Sequence, residues 1–176
     1  MRWISLLCLL TACSQGYRAH TDLTHPYHLS AVGSRVVLNR PVTIRPGTTR
    51  LFLQRGEAMA LSEFDRYQPN CNFEIRDLSE VSQVIEPDSF SVIKVERLMT
   101  EVVRREDAVT GVLPAGMDDQ GTPMVAYGVH LWFEAGRSLM RLTCRGAFAD
   151  MWEAQPPSIE EIKRALGEYA ELVVAI

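Results

Sequence analysis

The sequence predicts an α+β domain that is mostly β: an antiparallel sheet, either a sandwich or a partly open barrel, with a C-terminal helix packed on it. Three observations predict it. From Arg35 onward short apolar runs are separated by turn residues, later runs alternate apolar and polar side chains at a period of two, and near the C-terminus a helical period follows a capping signature.

The elements follow in chain order. Val36-Val37-Leu38 leads into Asn39-Arg40-Pro41, Val42-Thr43-Ile44 into Arg45-Pro46-Gly47, and Leu51-Phe52-Leu53 into Gln54-Arg55-Gly56, each a short strand closed by turn residues. Residues 61–68 carry no period, and Phe64 and Tyr67 are candidate core plugs within them. Cys71, Phe73 and Ile75 then alternate with Asn72, Glu74 and Arg76, which predicts a strand with one apolar and one polar face. Phe90-Ser91-Val92-Ile93-Lys94-Val95 is a further strand, and Val102-Val103 favours its continuation through residues 98–105 over a short helix. Residues 107–122, punctuated by Gly111, Pro114, Gly116 and Asp118-Asp119-Gln120-Gly121, are expected to form a long loop.

The next pair of strands reads as a hairpin. Val125, Tyr127, Val129, Leu131 and Phe133 share one face, Ala126, Gly128, His130 and Trp132 the other, and Ala135-Gly136 supplies the turn. Placing Glu134 opposite Arg137 pairs Leu131 with Met140, Val129 with Leu142 and Tyr127 with Cys144, so that the large apolar side chains fall on one side. In the same register His130 faces Arg141 on the outer side, beside Trp132. Finally Pro156-Pro157 interrupts the chain, Ser158 is an N-cap, and Glu161 three residues on completes a capping box. Ile159, Ile162, Leu166 and Tyr169 line one face of the helix, with Trp152 ahead of it as a core anchor.

The start of the chain has a different character. Met1-Arg2 precedes the apolar run Trp3-Ile4-Ser5-Leu6-Leu7-Cys8-Leu9-Leu10, which closes on Thr11-Ala12-Cys13, the n-region, h-region and cleavage-site order of an exported protein. A spanning helix needs about 20 apolar residues, more than twice what this run offers before Ser14-Gln15. Leu10-Thr11-Ala12-Cys13 resembles the lipobox of bacterial lipoproteins, and the chain as a whole is similar to small envelope lipoproteins of proteobacterial type. The resemblance implies removal of residues 1–12, a diacylglycerol on the thiol of Cys13, and an acylated N-terminus there. With about 0.8 kcal/mol per buried methylene and two or more chains, such an anchor is effectively permanent. Ser14 after the cysteine implies passage to the outer membrane, facing the periplasm.

What remains is about 160 residues, enough for one domain with a real core. Residues 13–34 read as the lipidated cysteine and a flexible tether, with an r.m.s. reach of about 25 Å, and residues 35–176 as the globular domain. The formal charge of the chain is −4, one unit more negative without Arg2, and no basic cluster is built to neutralise phosphates, so nucleic acid is not an expected partner. With Cys8 removed and Cys13 lipidated, Cys71 and Cys144 are left as an even pair in an oxidising compartment, which implies one disulfide. Periodicity turns both cysteines toward the apolar face, and no Cys-x-x-Cys suggests redox catalysis.

Reaction chemistry is sparse. There is no Gly-x-Ser-x-Gly, His-Glu-x-x-His or phosphate-cradling glycine loop. His20, His25 and His28 lie in the tether, where nothing fixes their rings for a metal, and Asp118-Asp119 lie in a loop that suits turn formation. No catalytic residue, metal or cofactor is therefore assigned. His130, Trp132 and Arg141 are expected to face a partner. The favoured role is a non-enzymatic envelope lipoprotein that binds an envelope protein as an assembly or accessory factor. The alternative is a hydrolase acting on peptidoglycan or lipid, which requires a pocket gathering His130 or the acidic loop with other polar groups.

Overall fold

A computed structural model describes residues 32–101 and 124–175. Its main sheet is antiparallel throughout, with the strand order β11-β1-β7-β8-β9-β5-β3-β4. The strands are β1 (Arg35–Leu38), β2 (Val42–Ile44), β3 (Arg50–Gln54), β4 (Glu57–Met59), β5 (Asn70–Glu74), β6 (Gln83–Ile85), β7 (Ser89–Glu101), β8 (Met124–Phe133), β9 (Arg141–Arg145), β10 (Ala149–Asp150) and β11 (Ala170–Val173), with α1 (Ile159–Leu166) before the last. β10 extends the pairing along β8, and β2 and β6 form a separate two-stranded ribbon. The leader, Cys13, the three tether histidines, residues 102–105 and the acidic loop at 107–122 lie outside the described residues.

The sheet curls into a half-barrel around α1. The helix touches β11 at one end of the strand order and β5 and β3 near the other, which a flat sheet of this width would not allow. β7 changes partner along its length: its first residues pair with β1 and its remainder with β8. Its register slips between Val92 and Lys94, a bulge that expels Ile93 and sharpens the local twist. Of the two predicted architectures, the open barrel is therefore the one formed.

The helix is where the sequence places it. The Ser158 hydroxyl accepts from the Glu161 N–H at 3.2 Å, and the Glu161 carboxylate accepts from the Ser158 N–H at 2.8 Å. Ile162, Ala165 and Leu166 enter the core beside Leu53, Phe73 and Leu142. Tyr169, expected on the same helical face, lies beyond the helix end, because Gly167 at φ 55° caps it and the chain turns back into β11. That turn docks against the β3–β4 hairpin, where Gly56 N–H donates to Ala165 O at 3.1 Å. A Cβ on Gly167 would stand 2.3 Å from Gly56 Cα, so the sheet edge meets the helix end through two bare backbones.

Cys71 and Cys144 are direct cross-strand partners on β5 and β9, both fully buried and joined as a disulfide. The β8–β9 register differs from the one predicted by two residues: Leu131 pairs with Leu142, Val129 with Cys144 and Trp132 with Arg141. The connection is wider than a two-residue turn because Leu139 folds back into the core, fully buried, while Arg137 reaches out to Asp88. A slip of two keeps every side chain on its predicted face, so the apolar side is unchanged.

Two predicted core anchors are on the surface. Trp152 is 70% exposed, since Glu153 and Ala154 N–H groups both bond to Asp150 O and the resulting turn directs Ala154 inward instead. Tyr67 is 64% exposed, its loop being held by the buried Gln54 amide, which donates to Asp65 O and accepts from Asp65 N–H. Phe64 stacks on Phe52 at 5.4 Å, on the side of the sheet away from the helix.

Candidate functional site

Strand alternation that turns Leu53, Cys71, Phe73, Leu142 and Cys144 toward the helix turns their neighbours to the opposite face. Antiparallel register then assembles these neighbours into rows that cross the sheet. One row is Lys94, Trp132, Arg141, Glu74 and Arg50, contributed in turn by β7, β8, β9, β5 and β3. The next is Glu96, His130, Thr143, Asn72 and Phe52, and a third contains Leu98, Gly128, Arg145 and Asn70. The predicted partner-facing residues His130, Trp132 and Arg141 are thus brought onto one face. Arg141, however, lies opposite Trp132, and Thr143 opposite His130, as the corrected register requires.

Glu74 is the electrostatic centre of the first row. Its side chain is 9% exposed and accepts from Arg141 Nε at 2.7 Å and Arg50 Nη2 at 3.0 Å. Burial pushes its carboxyl pKa up, but the hydrogen bonds and charges of Arg141 and Arg50 outweigh this and hold it below the usual carboxylate value. Arg141 also lies over the Trp132 ring, 4.7 Å from its centroid, with Lys94 at 5.9 Å. Glu96 pairs with Lys94 and accepts from the indole N–H, and these hydrogen bonds, that of Lys94 first, lower its pKa.

His130 Nδ1 is 2.7 Å from the Thr143 hydroxyl, and its ring meets Trp132 edge-on at 6.1 Å. Burial first, then the charges of Arg141 and Arg145, lower its pKa, so the ring is neutral at pH 7. The hydroxyl it meets belongs to a residue only 1% exposed, which is not placed to attack a substrate.

Arg145 was not among the predicted site residues. It is half-buried beside Gly128, where a Cβ would be 3.0 Å from Arg145 Cγ, so the missing side chain lets the arginine stem lie close along β8. Among the described residues the Arg145 guanidinium has no hydrogen bond or ion pair. Burial, followed by the charges of Arg50 and Arg141, lowers its pKa from the ordinary arginine value. Beside it, Asn70 and Asn72 are 4% and 2% exposed, and the Oδ1 atom of each is sealed from solvent without a donor. The polar phase of β5 is therefore as buried as its apolar phase. Its signal in the sequence was the matched alternation of Asn70, Asn72 and Glu74 with Arg141, Thr143 and Arg145, which shows a polar face but not its closure.

At the β3 margin the face runs into a groove of about 300 Å³ lined by Phe52, Leu61, Leu78, Thr48, Arg45 and Arg50. Leu61 and Leu78 are 57% and 62% exposed. Among the described residues no cluster of histidine, cysteine and carboxylate side chains is built to hold a metal ion. No helix there is long and apolar enough to cross a membrane.

The chain matches no family model, no curated protein and no solved structure. Its functional reading therefore rests on its own residues.

Proposed function

We propose that the chain is a lipid-anchored lipoprotein of the bacterial envelope, held by Cys13 on the outer membrane and facing the periplasm, that binds an envelope protein as a non-enzymatic assembly or accessory factor. The leader and Leu10-Thr11-Ala12-Cys13 support the anchor. The Cys71–Cys144 disulfide suits an oxidising compartment.

The observation that carries the binding role is the cationic face itself. Arg50 and Arg141 share the single carboxylate of Glu74, and Arg145, further along the same face of β9, has no hydrogen bond or ion pair among the described residues. A half-buried guanidinium without an acceptor is stabilised by one from outside the domain. The buried hydroxyl at His130 and the engaged indole at Trp132 suit recognition better than turnover.

Two measurements test the two halves of this reading. Cells supplied with a radiolabelled fatty acid should label the wild-type chain and not Cys13→Ser. A photo-reactive phenylalanine at Leu61 or Lys94 should crosslink one defined envelope protein, whereas the same group at exposed Glu171, on edge strand β11, should not. Absence of label removes the anchor, and equal capture from all three positions removes the binding face.

A further inference from the structure

We infer that two copies of this chain associate through the outer edge of β7, residues 97–101 pairing antiparallel with the same residues of the second copy about a two-fold axis at Met99. The inference is independent of the partner-binding reading and concerns another margin of the sheet. Lys94–Glu101 pair with β8 on one side, and among the described residues no strand covers the other. β1 flanks β7 only as far as Val92, where Ser34 O accepts from the Val92 N–H and Gly33, at φ 90°, turns the chain off the edge. The two ends of the main sheet, β4 and β11, are three and four residues long, and short edges are poor templates. The uncovered run of β7 is eight residues, Lys94–Glu101, with no proline and no further bulge. Such an edge accepts another strand.

The phase of the ladder shows which groups this edge offers. Phe133 N–H donates to Met140 O and Tyr127 O accepts from Gly146 N–H, so the odd-numbered residues of β8 bond towards β9. Alternation turns Trp132, His130, Gly128 and Ala126 towards β7, where they exchange bonds with Lys94, Glu96, Leu98 and Thr100. The backbone N–H and C=O groups of Val95, Arg97, Met99 and Glu101 therefore point away from β8. The Met99 side chain is 55% exposed, and Arg97 and Glu101 are exposed on either side of it.

Charge selects a second copy and fixes its register. In an antiparallel pair related by a two-fold axis, the residue on the axis faces itself, and residues equally far before and after it face each other. An axis at Val95 or Glu96 would carry the second strand over residues that β1 already holds. One at Arg97 or Glu101 would oppose like charges, and one at Leu98 or Thr100 matches no charge within Lys94–Glu101. At Met99, Arg97 stands opposite Glu101 twice, and the two exposed thioethers meet between these pairs. Arg97 need not be free for this, since a guanidinium has five donors. All three opposed pairs are of the outward-pointing phase and exchange about six backbone hydrogen bonds. The match is contained in the strand's own sequence, which is what a second copy presents.

Sedimentation velocity of the full chain tests this, with Cys13→Ser in every protein so that acyl groups cannot drive association. Between about 5 and about 500 μM, the range in which small interfaces form, the protein should pass from monomer to dimer. Arg97→Glu and Glu101→Arg should each raise the concentration of half-association at least about tenfold, because each opposes like charges twice. An equimolar mixture of the two variants should dimerise as wild type does, since each chain supplies the charges that the other lacks. Met99→Pro should abolish dimerisation and leave the melting temperature nearly unchanged, because the N–H it removes points outward and not to β8.

A monomer throughout this range would overturn the inference. So would a dimer that folded Met99→Pro leaves intact, or single-charge variants that dimerise as wild type does, since the contact would then lie elsewhere. If Met99→Pro does not fold, the mixture decides: recovery there supports the β7 pairing, and its absence overturns it. Failure of the Leu61 photo-crosslink leaves this inference standing, and a monomeric protein leaves the partner reading standing.

Discussion

Removing the Cys71–Cys144 bond should weaken the fold by an amount set almost entirely by chain length. The cysteines are 73 residues apart and sit opposite one another on adjacent strands that other ladder bonds already hold in register. The folded state therefore changes little on reduction, and the main effect is on the unfolded chain, which loses a covalent loop. For a loop of this length the chain-entropy relation gives about 4 kcal/mol at 25 °C. A domain of this size has a total stability of about 5–15 kcal/mol, so the reduced protein should remain folded but be much less stable. Urea unfolding of the oxidised and reduced wild type is the appropriate comparison, because reduction keeps both sulfur atoms in the core. With a slope of about 2 kcal/mol/M the midpoint should fall by about 2 M. The Cys71→Ala/Cys144→Ala variant should lose somewhat more, because two buried sulfurs are also removed. A difference below about 1 kcal/mol would refute the reasoning. So would loss of the folded circular dichroism signal in the absence of urea, since the bond would then be shaping the sheet rather than restricting the unfolded chain.

Three further outcomes test other parts of the structure. Gly167→Ala should destabilise the domain by at least ~2 kcal/mol, because it adds a left-handed backbone penalty to a Cβ 2.3 Å from Gly56 Cα, and urea midpoints will measure it. Glu74→Gln should cost about 2 kcal/mol at pH 7, where it leaves Arg141 and the more exposed Arg50 without their charged acceptor. The Glu74 carboxyl is depressed in the folded state, so its contribution is fully present above the ordinary carboxylate value and lost as pH falls through the depressed one. Urea titrations from pH 7 to pH 3 should therefore show a shallower acid loss in the variant than in wild type, and parallel curves would exclude this role. Trp152→Ala should shift the thermal midpoint by no more than a degree or two, since the ring is 70% exposed, and a large drop would return Trp152 to the core.

Much of the fold was legible because it depends on local period. The phase of Cys71, Phe73 and Ile75, and of Leu142 and Cys144, comes from strict alternation, and the helix start comes from Ser158 and Glu161 within one turn. The register of β8 and β9 has a longer-range cause. Leu139 needed a place in the core and widened the β8–β9 loop, which moved the register by two and put Arg141 opposite Trp132. The short strands β4, β6 and β10 have too few residues to show a period, and their pairing is supplied by neighbours distant in sequence. Trp152, expected ahead of the helix as a core anchor, is directed outward by the local turn around Asp150.

The candidate site divides along the same line. By itself the sequence determined that His130, Trp132 and Arg141 belong to a polar face, that two cysteines turn inward, and that a capped helix closes the chain, since alternation and capping involve residues within a few positions of one another. Only the tertiary structure decided that Arg50 and Glu74 join that face, that Arg145 stands among them without an acceptor among the described residues, and that Asn70 and Asn72 are sealed beneath it. Those relations arise between strands that are neighbours in the sheet but far apart in the chain. Charge balance and burial are properties of such neighbourhoods, set by register and curvature that no local pattern encodes.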